Sequence, residues 1–152
     1  MAANAWKKYE SFPEYMGDGT IDMDTHTFKV ALYLSSSNAA TVTTNTVKAD
    51  LTNEHANGNG YTTGGATLAS VTWTHSTGTT TFDCADPTWT ASGGNIVARF
   101  AVIYDDTPTS PADPLVCYSL LDNTPADVTV PDGSTLTLQI NASGILTVTG
   151  MT

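Results

Sequence analysis

Positive charge is scarce in this sequence, and that scarcity excludes several classes of partner. The chain of 152 residues carries 15 Asp and Glu against five Lys and Arg, which gives a formal net charge of −10. Its only arginine is Arg99. A protein with this charge repels the phosphates of nucleic acids and acidic membrane surfaces. We therefore expect neither nucleic acid nor a membrane among its partners.

Cysteines and long hydrophobic runs are also rare. The N-terminal stretch MAANAWKKYE has two lysines but no apolar stretch behind them, so a secretory signal peptide is not predicted. Without export, the two cysteines, Cys84 and Cys117, are expected to be buried thiols rather than a disulfide. No run approaches the ~20 apolar residues that a membrane-spanning helix needs.

Threonine and glycine are abundant instead, with 28 and 12 residues, and charged residues make up only 13% of the chain. Threonine favours strands, and the large apolar residues recur at strand-like spacing, as in FKVALYLSS from Phe28. About eight short strands are separated by turn signals. This pattern predicts an all-β chain that folds as a two-sheet β-sandwich of the jelly-roll type, with a short helical segment at its N-terminus.

Two segments are apolar on both sides and predict central strands that are covered on both faces. They are NIVARFAVIYDD, interpreted as one strand over residues 95–106, and PLVCYSLL, and the proline-containing stretch between them predicts a hairpin loop. Arg99 interrupts the second face of the first strand. A buried arginine must be paired, and Asp83, Asp86 or Asp105 could serve as its partner, so we expect a structural ion pair at Arg99 rather than a ligand-binding arginine.

The N-terminal 26 residues form a separate segment in this interpretation, and residues 27–152 form the β-sandwich domain. An aromatic residue recurs every third position in the segment, which predicts a short helix, kinked or ended at Pro13, that carries Trp6, Tyr9, Phe12 and Tyr15. This aromatic stripe either covers a sheet of its own chain or docks onto a neighbouring subunit. Docking is the favoured alternative, and these four residues are therefore candidates for partner contact.

A long polar loop follows the first predicted strand, over residues 38–65. It contains NEHANGNGYTTGG, and a short helical turn is expected around VKADLTNE. Loops of this length usually carry function or contact a partner. Three further candidates for partner contact lie in it, namely Asn57, Asn59 and Tyr61.

Sequence signals for catalysis are weak. No HExxH, GxSxG or Cys-His pattern is present, and the histidines, at 26, 55 and 75, lie far apart in the chain. The acidic pairs Asp22/Asp24 and Asp105/Asp106 do not match the spacing of a calcium loop. We therefore expect no enzyme, no metal and no cofactor. Sugars could stack on Trp73, Trp89, Tyr61 and Tyr104, but the strand positions of both tryptophans favour the core.

Four stretches together resemble a known group of proteins: GTIDMDTHTFKVAL, DLTNEHANGNGYTTGGATL, TFDCADPTWTASGGNIVARFAVIYDD and LLDNTPADVTVPDGSTLTLQINASGILTVT. The group consists of small proteins encoded among the structural genes of tailed bacteriophages and prophages. The resemblance covers almost all of residues 4–149. It carries no catalytic motif.

The resemblance implies a non-enzymatic virion protein, in particular a capsid decoration or cement protein. Such a protein would be made in the host cytoplasm, reside on the capsid surface, contact the major capsid protein and form homo-oligomers. The alternative is a carbohydrate- or receptor-binding module of a head or tail fibre.

Overall fold

The computed structural model describes residues 4–124 and 127–150, and within them the chain is all-β, as predicted. The first limit of the predicted N-terminal segment, residue 1, and the last limit of the predicted β-sandwich domain, residue 152, lie outside the described residues. A short α-helix, α1, spans Phe12–Gly17. The strands, in chain order, are β1 (Lys7–Lys8), β2 (Phe28–Tyr33), β3 (Ala66–Thr67), β4 (Thr72–Ser76), β5 (Thr79–Asp83), β6 (Thr88–Thr90), β7 (Ile96–Ala98), β8 (Phe100–Asp105), β9 (Leu115–Leu120), β10 (Val128–Val130), β11 (Thr135–Thr137) and β12 (Leu146–Thr149).

A five-stranded antiparallel sheet with the order β1-β9-β8-β2-β3 forms the centre of the molecule. Every residue of β8 is buried, and β9 is buried except at its last residue. The two strands form the predicted hairpin. The near-continuous apolar sequence of both strands therefore correctly predicted coverage on two faces. Strand β2 is also covered on both faces, because only Lys29 remains partly exposed.

One face of the central sheet packs against a layer of small antiparallel sheets, β10-β7, β11-β6 and β12-β5-β4. The contact between them is the main core. The small sheets contribute apolar residues at alternate positions, including Phe82, Trp89, Ile96, Val128 and Leu136. The central sheet contributes Val30, Leu32 and Ile103 from the facing side.

A loop, rather than a second sheet, covers the opposite face. Ala39, Val42 and Leu51 of the long polar loop pack with Tyr9 against β2, β8 and β9 and form a second core. The predicted helical turn is present in this loop as a 3₁₀ turn at Lys48–Asp50. The layers are therefore a loop, the central sheet and the small sheets, and this arrangement does not establish a jelly roll.

The prediction of a helix at the start of the chain is wrong for the residues up to Ser11. Residues near Lys7–Lys8 pair with β9 as an edge strand, and the Asn4 N–H donates to the Leu120 carbonyl oxygen at 2.9 Å. The helix begins only at Phe12, with Pro13 in its first turn. Proline is tolerated there because the first N–H groups of a helix have no partner within the helix. Pro13 thus starts this helix instead of ending one.

The strand predicted over residues 95–106 is two strands that belong to different layers. Ile96–Ala98 pairs with β10, whereas the chain from Phe100 onward lies in the central sheet. Arg99 lies at the crossing, where its N–H donates to the Tyr33 carbonyl at 2.7 Å and its carbonyl accepts from the Leu121 N–H at 2.9 Å. The backbone passes from one layer to the other here. The even-numbered residues before Arg99, such as Ala98, therefore enter the main core, whereas those after it, such as Phe100, enter the second core.

This crossing places the Arg99 side chain at a half-buried position, where Nη1 donates to the Thr124 carbonyl oxygen at 2.8 Å. Asp105 instead contacts His26. Among the described residues, no ion pair joins Arg99 to Asp83, Asp86 or Asp105. These three candidate partners are therefore wrong, whereas the structural ion pair of Arg99 itself stays a prediction.

Candidate interaction surface

Three of the residues predicted to contact a partner are buried inside the chain itself. Tyr9 has no exposed surface, and its hydroxyl donates to the Ala39 carbonyl at 2.6 Å. Phe12 belongs to the main core and Tyr61 is 2% exposed. The prediction of partner contact is wrong for these three side chains in this conformation. Their apolar rings cover the central sheet on both faces.

Tyr61 links the long loop to the central sheet. Its hydroxyl donates to Glu54 Oε1 at 2.7 Å and accepts from the Leu32 N–H at 3.0 Å. Glu54 also accepts from the Gly64 N–H at 2.6 Å and pairs with Lys48 at 2.8 Å. Burial raises the pKa of the Tyr61 hydroxyl well above its ordinary value. This hydrogen-bonded group holds the loop in place and uses the proton and one acceptor position of the Tyr61 hydroxyl inside the chain.

The remaining predicted contact residues are at least partly accessible. Trp6 and Tyr15 are half-buried and pack against the main core. Asn57 and Asn59 are exposed residues of the long loop. Asn59 adopts a positive φ of 55°, and its Nδ2 donates to the Asn95 carbonyl at 3.2 Å. Their contact with a partner stays a prediction.

The aromatic residues considered as sugar-stacking positions lie mainly in the core. Trp89 is 5% exposed and Tyr104 is 2% exposed. Trp73 is half-buried and packs against the main core. The preference for a core position is therefore confirmed for Trp89, which excludes that ring as an open platform.

A further surface, which no motif in the sequence predicted, lies on the outer side of the β12-β5-β4 sheet. Phe82 and Leu146 point into the main core, so the alternate residues point outward. The strand register places them in two rows, Thr147-Thr81-Thr74 and Thr149-Thr79-Ser76. We call these six residues the hydroxyl face.

The neighbouring β11-β6 sheet repeats the pattern. Trp89 and Leu136 are opposite each other and buried, while the flanking threonines, 88, 90, 135 and 137, are exposed. The hydroxyl oxygens of Thr90 and Thr135 lie 3.0 Å apart. The available signal in the sequence was the tripeptide Thr-x-Thr with an apolar central residue, which occurs as TWT, TLT and TVT.

The hydroxyl face is uncharged in a strongly acidic protein. Asp83 pairs with Thr72 at one end of the same side of the sheet, beyond the two rows. Each hydroxyl can donate and accept a hydrogen bond, and burying it removes no ionic charge from water. Threonine is also stiff at χ1, so little side-chain freedom is lost on contact. The face is therefore suited to protein contact.

Potential catalytic groups do not converge in the part of the chain that the structure describes. His26 contacts Asp105, His55 is buried beside Tyr61, and His75 lies near Thr80 on β4. No group of three or more His, Cys, Asp or Glu that could hold a metal ion occurs in residues 4–124 and 127–150. Within the same ranges, no helix is long and apolar enough to cross a membrane.

The cysteines are free and buried, as predicted. Burial raises the pKa of the Cys84 thiol to about 12 and that of the Cys117 thiol well above its ordinary value. Both therefore remain protonated and unreactive at neutral pH.

Comparison with protein-family models, with curated proteins and with solved structures finds no match to this chain.

Proposed function

We propose that this protein is a capsid decoration protein of a tailed bacteriophage, located on the virion surface and bound to the major capsid protein. The resemblance of its sequence to phage structural proteins motivates the proposal. The same proposal includes a sandwich of the jelly-roll type and a homo-oligomeric state, both of which the resemblance implies. The function is non-enzymatic.

The observation that carries the proposal is the hydroxyl face. A decoration protein must stay dispersed at high concentration and yet bind a lattice of repeated sites. The net charge of −10 favours dispersion of free copies. The two rows of Thr and Ser carry no carboxylate themselves, so their contact with a capsid requires no desolvation of charge within the face.

Binding to capsids that lack the protein tests the proposal directly. Purified protein is mixed with such capsids, sedimented and imaged by electron cryomicroscopy. We expect cosedimentation at a fixed number of copies per capsid subunit. Mass spectrometry of native virions should detect the protein at high copy number. Its absence from virions, or its presence at low copy number at one tail end, would refute capsid decoration.

A matched pair of variants tests the role of the hydroxyl face. Thr74→Lys with Thr147→Lys adds two positive charges to the face, and Thr43→Lys with Thr44→Lys adds the same charge to the exposed loop over the opposite side of the sheet. The first pair should weaken capsid binding at least about tenfold by burying charge at the contact. The second pair should bind as the unmodified protein does. Equal affinity of both variants would place the contact elsewhere.

A further inference from the structure

A cleft of about 600 Å³ lies between the N-terminal edge strand and the chain that connects β11 with β12. Asn4 and Trp6 line one side, and Gln139, Asn141 and Ser143 line the other. The volume falls within the range of sites that bind small organic molecules.

The walls of this cleft are neutral. Among the described residues, no Asp, Glu, Lys, Arg or His lines it. The polar groups are carboxamides and hydroxyls, and the remaining wall is apolar. A charged ligand would lose hydration here without gaining a counter-charge. The chemistry therefore favours a neutral ligand.

The carboxamides have unused hydrogen-bonding capacity. The side chains of Asn4 and Gln139 form no hydrogen bond within the part of the chain that the structure describes. Asn141 uses Oδ1 to accept from the Ser143 N–H at 2.8 Å, which leaves its NH₂ group available. A carboxamide presents both donors and acceptors. A ligand hydroxyl, which also does both, matches this set.

Trp6 is held in place at the wall. The indole packs against the main core while remaining partly exposed. Hydrogen bonds from the Asn4 N–H to the Leu120 carbonyl at 2.9 Å and from Ser119 Oγ to the Asn4 carbonyl at 2.8 Å fix the adjacent backbone. A fixed aromatic ring offers a large apolar surface with little ordering cost on binding.

We propose that this cleft binds a neutral saccharide. The apolar C–H side of a sugar ring contacts Trp6, and the sugar hydroxyls bond to Gln139 and Asn141. This inference goes beyond capsid decoration and does not depend on it, because it rests on a different surface.

An array of neutral, sialylated and sulfated glycans, followed by calorimetric titration of each hit, tests the inference. Neutral glycans should bind, and the acidic ones should not. Trp6→Ala and Gln139→Leu should each lower the affinity at least about tenfold, since each removes a contact group. Trp73→Ala is the matched control, because this half-buried tryptophan lines a separate depression beside Met16 and Met23. It should bind as the unmodified protein does.

Circular dichroism confirms that each variant is folded. Gln139 is exposed, so we expect Gln139→Leu to fold, and its affinity for neutral glycans tests the inference even if Trp6→Ala does not fold. Absence of neutral hits, equal binding of acidic glycans or full affinity in Gln139→Leu would overturn the inference. Capsid cosedimentation of Gln139→Leu should be unchanged, which separates failure of this inference from failure of the proposed function.

Discussion

His26 Nδ1 lies 2.7 Å from Asp105 Oδ2, although the Asp105 side chain is completely buried at the end of β8. Asp105 also accepts from the Thr107 N–H at 3.0 Å. Burial raises the pKa of the Asp105 carboxyl, and the hydrogen bond from His26 opposes that rise. This pair joins the connector before β2 to the central sheet across 79 residues of sequence.

Asp105→Asn should reveal the cost of this buried charge. Because the pKa of Asp105 is raised in the folded state, its ionised form destabilises the fold above that pKa, and protonation relieves the effect. The free energy of unfolding of the unmodified protein should therefore rise relative to that of Asp105→Asn as the pH falls from about 7 to about 4. Urea denaturation across this range measures the difference. Asp106→Asn, at the exposed neighbour, is the control, and a pH-independent difference for Asp105→Asn would contradict the prediction.

His55 should make the fold sensitive to acid. Burial lowers the pKa of this imidazole, and among the described residues its Nε2 has no hydrogen-bond partner. The unfolded chain takes up a proton below its ordinary pKa of 6.5 more readily than the folded chain does, so stability is lost as the pH falls through that value.

We expect His55→Phe to reduce the loss of stability between about pH 7 and about pH 5, since phenylalanine retains the edge contact with Tyr61 and does not ionise. Urea midpoints measured for this variant and for His75→Phe, at the exposed β4 position, provide the comparison. An unchanged pH profile in His55→Phe would show that another group is responsible.

Deletion of residues 1–16 should unfold the isolated protein. The sequence favoured docking of this segment onto a neighbour, but Tyr9 and Phe12 are buried in the two cores of their own chain. Circular dichroism of the truncated protein tests this. Phe12→Ala alone should lower the free energy of unfolding by about 3–5 kcal/mol, and half-buried Tyr15→Ala by less. A folded truncated protein with an unchanged urea midpoint would restore the docking alternative.

Gly65 and Gly78 form a matched pair that separates backbone strain from steric exclusion. Their φ angles are 80° and 79°, in the region that favours glycine. A Cβ on Gly65 would collide with the Val30 carbonyl, whereas a Cβ on Gly78 would meet no atom within 4 Å. Gly78→Ala should cost about 1 kcal/mol, and Gly65→Ala should cost more than about 3 kcal/mol or prevent folding. Thermal and urea denaturation compare them, and similar losses would contradict this distinction.

The central strands were predictable because their apolar sequence is a local property. The face to which each side chain of β9 points was not predictable. Val116 and Cys117 both enter the main core, because the pairing of β9 with β8 is irregular opposite Ile103 and Tyr104. One additional residue in a strand shifts every following side chain to the other face. Strict alternation along the sequence would place Val116 and Cys117 on opposite sides of the sheet, contrary to their shared position in the main core.

The candidate surfaces were harder to predict than the strands. The Thr-x-Thr pattern is visible in the sequence, but its outward direction follows from burial of the residues between the threonines, such as Trp89 and Leu136. The cleft beside Trp6 joins residues more than 130 positions apart, at Asn4 and Asn141, which no local pattern connects.

The sequence by itself determined the all-β class, the acidic net charge and the burial of β8 and β9 on both faces, because residue composition and continuous apolar runs are properties of the local sequence alone. Only the tertiary structure decided that Arg99 marks a crossing between layers, that Tyr9 and Phe12 lie in the cores of their own chain, and that a loop covers the second face of the sheet. These features depend on which distant segment packs best on each apolar face and excludes water from it, and packing over the whole chain decides that.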